Sequence, residues 1–83
     1  RKAEADLLLK QGNQQHDTRQ FQAALQSFQQ ALTIYREIGD RAGEATTLDS
    51  LGWTYRRLNQ YSQALDYFQQ ALAISREIGD RST

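Results

Sequence analysis

The sequence contains no cysteine and no proline, and its ten basic residues are balanced by ten acidic ones. Without cysteine the chain forms neither a disulfide nor a thiolate metal site. A neutral chain with no basic cluster lacks the charge that phosphate contacts require. No apolar run approaches the roughly 20 residues that span a bilayer. We therefore expect no nucleic-acid partner and no membrane span.

Strand-forming patterns are missing as well, since no stretch alternates β-branched and polar residues. Glutamine, alanine, leucine, glutamate and arginine are abundant instead, and these residues favour helices. With 83 residues, the chain is long enough for a single domain only. The composition therefore predicts one small all-α domain.

An internal repeat dominates the chain. Residues 20–41 recur as residues 60–81, and 15 of these 22 positions are identical. A fixed period of this size is typical of repeat arrays, in which each unit buries its apolar face only against its neighbours. The sequence therefore predicts two tandem units, with repeat 1 at about residues 4–40 and repeat 2 at about residues 44–80.

Helical spacing of apolar residues predicts four helices, at residues 3–17, 20–38, 41–58 and 60–78. Only a few residues separate helices one and two, or three and four, so each pair should form an antiparallel hairpin. Gly39 is suited to end helix two and Asp40 to cap helix three. Gly79–Asp80 repeats that break, so residues 81–83 are interpreted as the start of a further, truncated helix.

The second unit resembles the tetratricopeptide repeat family in its large, small and aromatic positions. These positions are Leu48, Leu51, Gly52, Tyr55, Tyr61, Ala64, Phe68 and Ala71. The first unit matches less well, because Gln11 and Gln15 stand where the pattern has leucine and an aromatic residue. The period of 40 exceeds the family's usual length of about 34. Forty-residue versions with this ending are similar to those of kinesin light chains and of multi-repeat bacterial signalling proteins.

This resemblance implies an α-solenoid fragment that binds a peptide or a partner protein, without catalysis, in the concave groove of helices one and three. The implied groove positions are Asp6, Leu9, Asn13, His16 and Asp17 in repeat 1, and Thr46, Asp49, Trp53, Arg56 and Arg57 in repeat 2. We single out Asn13, Asp49, Trp53, Arg56 and Arg57 as candidate partner-binding residues.

Trp53 falls outside the apolar stripe of its helix, and a tryptophan that the core does not need is a candidate binding anchor. It is equally suited to packing against another repeat or against arginine stems. Arg56 and Arg57 could meet a carboxylate. Some family members hold a C-terminal carboxylate with lysine and asparagine, but Leu9 and Ser50 stand at two of those positions, so we do not expect such a clamp.

Gly12 and Gly52 lie within helices, where glycine costs about 1 kcal/mol relative to alanine. Close approach of the paired helix would compensate, and we expect Ala24 and Ala64 to supply the small surface opposite. Phe28 and Phe68 are then expected to fill the space between successive hairpins.

Catalysis finds little support in the sequence. The single histidine, His16, is interpreted as a surface residue, and no motif for a metal, a phosphate or a nucleophile is present. The recurring Gly-Asp-Arg tripeptide is interpreted as structural punctuation. We expect a cytoplasmic protein that is not an enzyme and needs no cofactor or metal.

Self-association is the alternative function. Helix four is as apolar as an internal helix, and its residues Leu65, Phe68 and Leu72 (with Ile74) would form an exposed patch without a following repeat. A symmetric homodimer through helix four, or a swap in which the Gly39–Asp40 break straightens, would cover that patch. The polar first helix suggests that the array begins near residue 1 and continues past Thr83.

Overall fold

The computed structural model describes the chain from residue 1 to residue 81, and its side chains as far as Gly79. Four helices make up almost all of this part of the chain, and no strand occurs within it. They are α1 (Lys2–Asp17), α2 (Phe21–Ile38), α3 (Arg41–Arg57) and α4 (Tyr61–Arg81). The predicted all-α fold is confirmed. Every helix start, and the ends of α1 to α3, agree with the prediction within one residue.

The helices form two hairpins that lie side by side. α1 packs on α2 and α3 packs on α4, in each case across a three-residue turn that forces the pair to run antiparallel. α2 also packs along α3, while α1 touches α3 more sparingly. We call the contact between α2 and α3 the joint, because it holds the two hairpins together.

The break between the hairpins is built as the sequence predicts. Gly39 adopts the left-handed conformation (φ 73°) that closes α2. The Asp40 carboxylate then accepts a hydrogen bond of 3.0 Å from the backbone N–H of Gly43, which caps α3. That bond, followed by an ion pair with Lys2, lowers the pKa of Asp40.

The expected second break at Gly79–Asp80 differs from the structure, because α4 continues through both residues to Arg81. At Gly39 the turn is fixed by the packing of α3 on α2, whereas no described element packs on the outer face of α4. A glycine then only weakens the helix, by about 1 kcal/mol. Arg81 therefore belongs to α4 and does not begin another helix, and Ser82 and Thr83 lie outside the described residues.

Gly12 and Gly52 each face a phenylalanine ring from their own hairpin. A Cβ on Gly52 would lie 2.7 Å from the Phe68 ring, and Gly12 meets Phe28 in the same way. The nearest atoms to both positions belong to these rings and not to Ala24 or Ala64, whose expected role opposite the glycines stays a prediction. Phe28 also belongs to the buried cluster that includes Leu48 of the second hairpin, so its predicted place between hairpins is confirmed.

The two departures of repeat 1 from the family pattern are partly explained by a compensating change on α2. Gln15 accepts a 2.7 Å hydrogen bond from the Ser27 hydroxyl. Forty residues later, Tyr55 and Tyr67 stack at the same place with ring centroids 5.4 Å apart. The same contact between paired helices is thus a polar bond in one hairpin and an aromatic stack in the other.

The core runs through the joint. Its main buried cluster draws residues from three helices: Ala24, Phe28, Leu32, Ala45, Leu48, Leu51, Ala71 and Ile74. Tyr35 adds a second connection, because its hydroxyl donates to Asp6 on α1 while its ring occupies the space where Gly43 of α3 lacks a side chain. Burial, and then the bond to Asp6, raise the pKa of Tyr35. This contact of Gly43 was not predicted from the sequence.

Ion pairs repeat with the same period at the open ends of the hairpins. A guanidinium nitrogen of Arg1 lies 2.7 Å from a carboxylate oxygen of Glu37, and the corresponding distance between Arg41 and Glu77 is 2.6 Å. Such half-exposed pairs contribute little individually, on the order of 0–1 kcal/mol. The buried Glu44 is different, because it accepts from Arg41 on its own helix and from Arg36 on α2. It therefore neutralises charge inside the joint.

The contact between Gly52 and Phe68 predicts a large cost for Gly52→Leu. The new side chain would overlap the ring, so we expect a loss of more than about 2 kcal/mol in the free energy of unfolding. Urea unfolding followed by circular dichroism measures this loss. Ala42→Leu, at an exposed position of the same helix, is the control and should stay within about 0.5 kcal/mol of the parent. Equal stability of the two variants would contradict the contact.

The turn between α1 and α2 predicts a stabilising substitution. Arg19 and Asn59 occupy equivalent turn positions with φ of 65° and 62°. Asparagine tolerates this left-handed conformation better than arginine does. Arg19→Asn should therefore raise the free energy of unfolding by about 0.5–1 kcal/mol. Arg19→Gln removes the same charge without relieving the backbone and should have no effect. A gain of equal size for both variants would show that charge, not backbone conformation, is responsible.

Candidate partner-binding groove

A depression of about 460 Å³ lies where the turns of the two hairpins come together. Its walls are formed by His16, Trp53, Arg56, Arg57, Asn59 and Tyr61. A smaller depression of about 180 Å³ shares His16 and Trp53 and extends toward Asn13, Phe28 and Ser50. We call the two together the groove. It runs along the line where α1 and α3 meet.

Trp53 stands at the centre of the groove, and 50% of its surface is exposed. One edge contact comes from Phe68, whose ring centroid lies 5.3 Å away at an interplanar angle of 75°. The Arg56 guanidinium lies 5.1 Å from the Trp53 ring centroid. Both contacts restrict the indole before any partner arrives, and a pre-ordered aromatic ring loses little entropy on binding.

Arg56 and Arg57 bring positive charge to the groove without a counterion. Their guanidinium groups lie near the rings of Trp53 and Phe21, and no described carboxylate is within ion-pair distance of either. The cations at the other end of the hairpins differ in this respect, since Arg1 and Arg41 are each paired with glutamate. The groove therefore has charge available for an anionic group.

His16 is not the surface residue that the sequence suggested. Its Nδ1 lies 2.9 Å from the Thr54 hydroxyl, and its ring meets Phe21 edge-on at 5.5 Å. Thr54 donates its only hydroxyl proton to the Ser50 carbonyl at 2.8 Å, so the His16 Nδ1–H must be the donor in the first bond. This bond joins α1 to α3 beneath the groove and leaves Nε2 uncommitted.

The structure brings four of the five predicted partner-binding residues together. Asn13 lines the smaller depression, with its side-chain oxygen 3.5 Å from the Ser50 hydroxyl. Trp53, Arg56 and Arg57 line the larger one. Asp49 is exposed but lines neither depression.

Other positions that the resemblance placed in the groove serve the core instead. Asp6 accepts the bond from Tyr35, and Leu9 packs against both buried clusters. Two residues that were not predicted, Asn59 and Tyr61, close the end of the groove, and the Tyr61 hydroxyl donates a 3.0 Å hydrogen bond to the Asn59 side chain. Their only signal was proximity to Trp53 across the turn after α3.

The proposed self-association surface on α4 is partly as expected. Leu65 and Leu72 are 57% and 49% exposed. Phe68 is partly buried, because its ring packs over Gly52 and contacts Trp53. Ile74 is buried in the core and does not belong to this surface. The exposed apolar residues on α4 are therefore fewer than the sequence suggested.

Comparison with known families identifies one match. The family model described as tetratricopeptide repeat matches residues 3–77. No curated protein and no solved structure is similar enough to the chain to count as a match. Among the described helices, none has both the length and the hydropathy needed to cross a bilayer.

The unpaired arginines predict how ions quench the fluorescence of Trp53, the only tryptophan. Iodide should accumulate near Arg56 and Arg57, so its Stern–Volmer constant should exceed that of caesium by at least about twofold at low ionic strength. Arg57→Gln should reduce this ratio while leaving quenching by neutral acrylamide unchanged. Equal quenching by iodide and caesium in the parent chain would contradict a positive groove.

Proposed function

Because the chain belongs to the tetratricopeptide repeat family, whose members generally mediate protein–protein interactions without catalysis, we propose that it binds a peptide or partner protein in the groove between α1 and α3. The single observation that carries this proposal is the arrangement of Trp53 with two unpaired arginines. An exposed indole and guanidinium groups are the side chains that dominate binding hot spots.

The chemistry of the groove favours an acidic partner segment. Arg56 and Arg57 can each form a bidentate pair with a carboxylate, which gives direction as well as attraction. Trp53 offers an apolar face of fixed orientation to a neighbouring side chain. A segment with an apolar residue beside a glutamate, an aspartate or a free C-terminus would meet both requirements.

His16 and Asn13 would act as the polar contacts of this site. The Nε2 of His16 is available because Nδ1 is bound to Thr54. Asn13 makes only a long contact of 3.5 Å to Ser50, so its amide could turn to a peptide backbone. Two repeats offer a short groove, and we expect fast dissociation and affinity that depends on salt.

A second candidate function is self-association through α4. It is supported by Leu65 and Leu72, which are exposed on a helix of the type that another helix normally covers. A swap of hairpins through a straightened Gly39–Asp40 break would be another way to form a homodimer.

The 40-residue period also supports the proposal that the chain belongs to the variant found in kinesin light chains. The repeat boundaries and a cytoplasmic location stay predictions.

Selection from a random peptide display library tests the groove. We expect the parent chain to enrich acidic peptides and the Arg56→Glu, Arg57→Glu double variant to lose them, because charge reversal repels a carboxylate. Selected peptides are then titrated against Trp53 fluorescence. The control is Arg76→Glu on α4, which should leave the dissociation constant within about twofold. Acidic peptides that bind the double variant equally well would rule out the groove.

A further inference from the structure

The joint between α2 and α3 shows how this chain covers a helix of the α4 type. Leu25 and Leu32 on α2 are sheltered at the joint, where they pack on or within the main buried cluster. Their equivalents forty residues later are Leu65 and Leu72, which are exposed on α4. The same leucine surface is therefore covered by another helix on α2 and exposed to solvent on α4.

α1 carries the complementary face. Thr47 and Glu44 of α3 are buried at the joint. Their equivalents on α1 are Leu7, which is 67% exposed, and Glu4, which is also exposed. The exposure of Leu7 has no explanation within the chain itself, but position 7 corresponds to a position that an adjoining hairpin buries.

Charges on the two uncovered faces match as they do in the joint. In the joint, Arg36 of α2 lies 3.1 Å from Glu44 of α3. The equivalent residues are Arg76 on α4 and Glu4 on α1. Among the described residues neither has an ion-pair partner. Each face thus has one unpaired charge, of opposite sign, at the position where the joint forms its own pair.

From these correspondences we infer that α4 of one molecule binds α1 of a second copy, head to tail, and reproduces the α2–α3 joint between chains. The inference rests on the second candidate function, self-association through α4, and specifies its partner face and geometry. A symmetric contact between two α4 helices would leave both Arg76 and Glu4 without the pairing that Arg36 and Glu44 make in the joint.

Sizes at this interface are also compatible. In the joint, the large Tyr35 fills the space left by Gly43. The equivalent pair between chains would be Ser75 and Ala3. Ser75 is smaller than Tyr35 and Ala3 is larger than Gly43, so the two changes in size offset each other. One position fits less well, since Gln11 stands where Leu51 is fully buried in the joint. The association should therefore be weaker than the joint itself.

A head-to-tail contact leaves one free face at each end, so assembly does not stop at two copies. The mass-average of the 83-residue chain in sedimentation or light scattering should rise beyond twice the monomer mass as concentration increases. A symmetric dimer would stop at twice the monomer mass. This difference separates the two geometries before any substitution is made.

Charge reversal gives the decisive test. Glu4→Arg or Arg76→Glu alone should weaken self-association at least about tenfold, since each places like charges together. An equimolar mixture of the two variants should associate as the parent does, because a basic side chain at position 4 then meets an acidic one at position 76. Arg19→Glu, at an exposed turn outside both faces, changes the net charge equally and should have no effect.

A gain of affinity supplies a second, independent test. Gln11→Leu restores the leucine found at the joint and should strengthen self-association about tenfold. Gln22→Leu adds the same side chain at an exposed site on α2 and should not. Circular dichroism confirms that each variant is folded, so a loss of association is not mistaken for unfolding.

The possible outcomes separate this inference from the proposal it rests on. Association that survives Glu4→Arg but is lost in Leu65→Gln, Leu72→Gln would overturn the head-to-tail geometry and leave association through α4 intact. A parent chain that stays monomeric up to millimolar concentration would overturn both. Neither result affects peptide binding, which is measured separately through Trp53 fluorescence.

Discussion

The structure depends on one constraint: an apolar helix of this kind must be covered on a second side by another helix. α2 meets that requirement because α3 lies along it, with Phe28 and Leu32 sealed against Leu48 and Leu51. Neither hairpin could bury this surface alone, since a helix pair has only one internal interface. The joint therefore decides the shape of the molecule, and α4 is the helix on which no described element meets the same requirement.

The groove is a consequence of the joint. Packing α2 between α1 and α3 brings the two first helices of the hairpins to neighbouring positions, and the bond between His16 and Thr54 fixes their separation. Trp53 is then supported from below by Phe68, whose own position depends on the missing side chain of Gly52. A glycine that looks like a helix defect in the sequence thus determines how the exposed indole is presented.

The sequence was sufficient for whatever follows from local periodicity. The starts of all four helices, the ends of α1 to α3, the break at Gly39 and the arginines beside Trp53 all derive from spacing along one helix. Contacts between helices were harder to predict, because the spacing of residues along one helix does not show which residues of another helix they will contact. The pairing of Tyr35 with the space at Gly43 joins residues on different helices, and so does the bond that places His16 in the groove. The extension of α4 past Gly79 was missed because a glycine ends a helix only where packing requires a turn.

Residue-resolved hydrogen exchange under native conditions tests the central role of the joint most directly. If the joint holds the molecule together, backbone amides of α2 and α3 should exchange most slowly and at a common rate set by global unfolding. Amides at the start of α1 and toward the end of α4 should exchange faster. Two hairpins that exchange as separate units, with α2 no better protected than α1, would contradict this account.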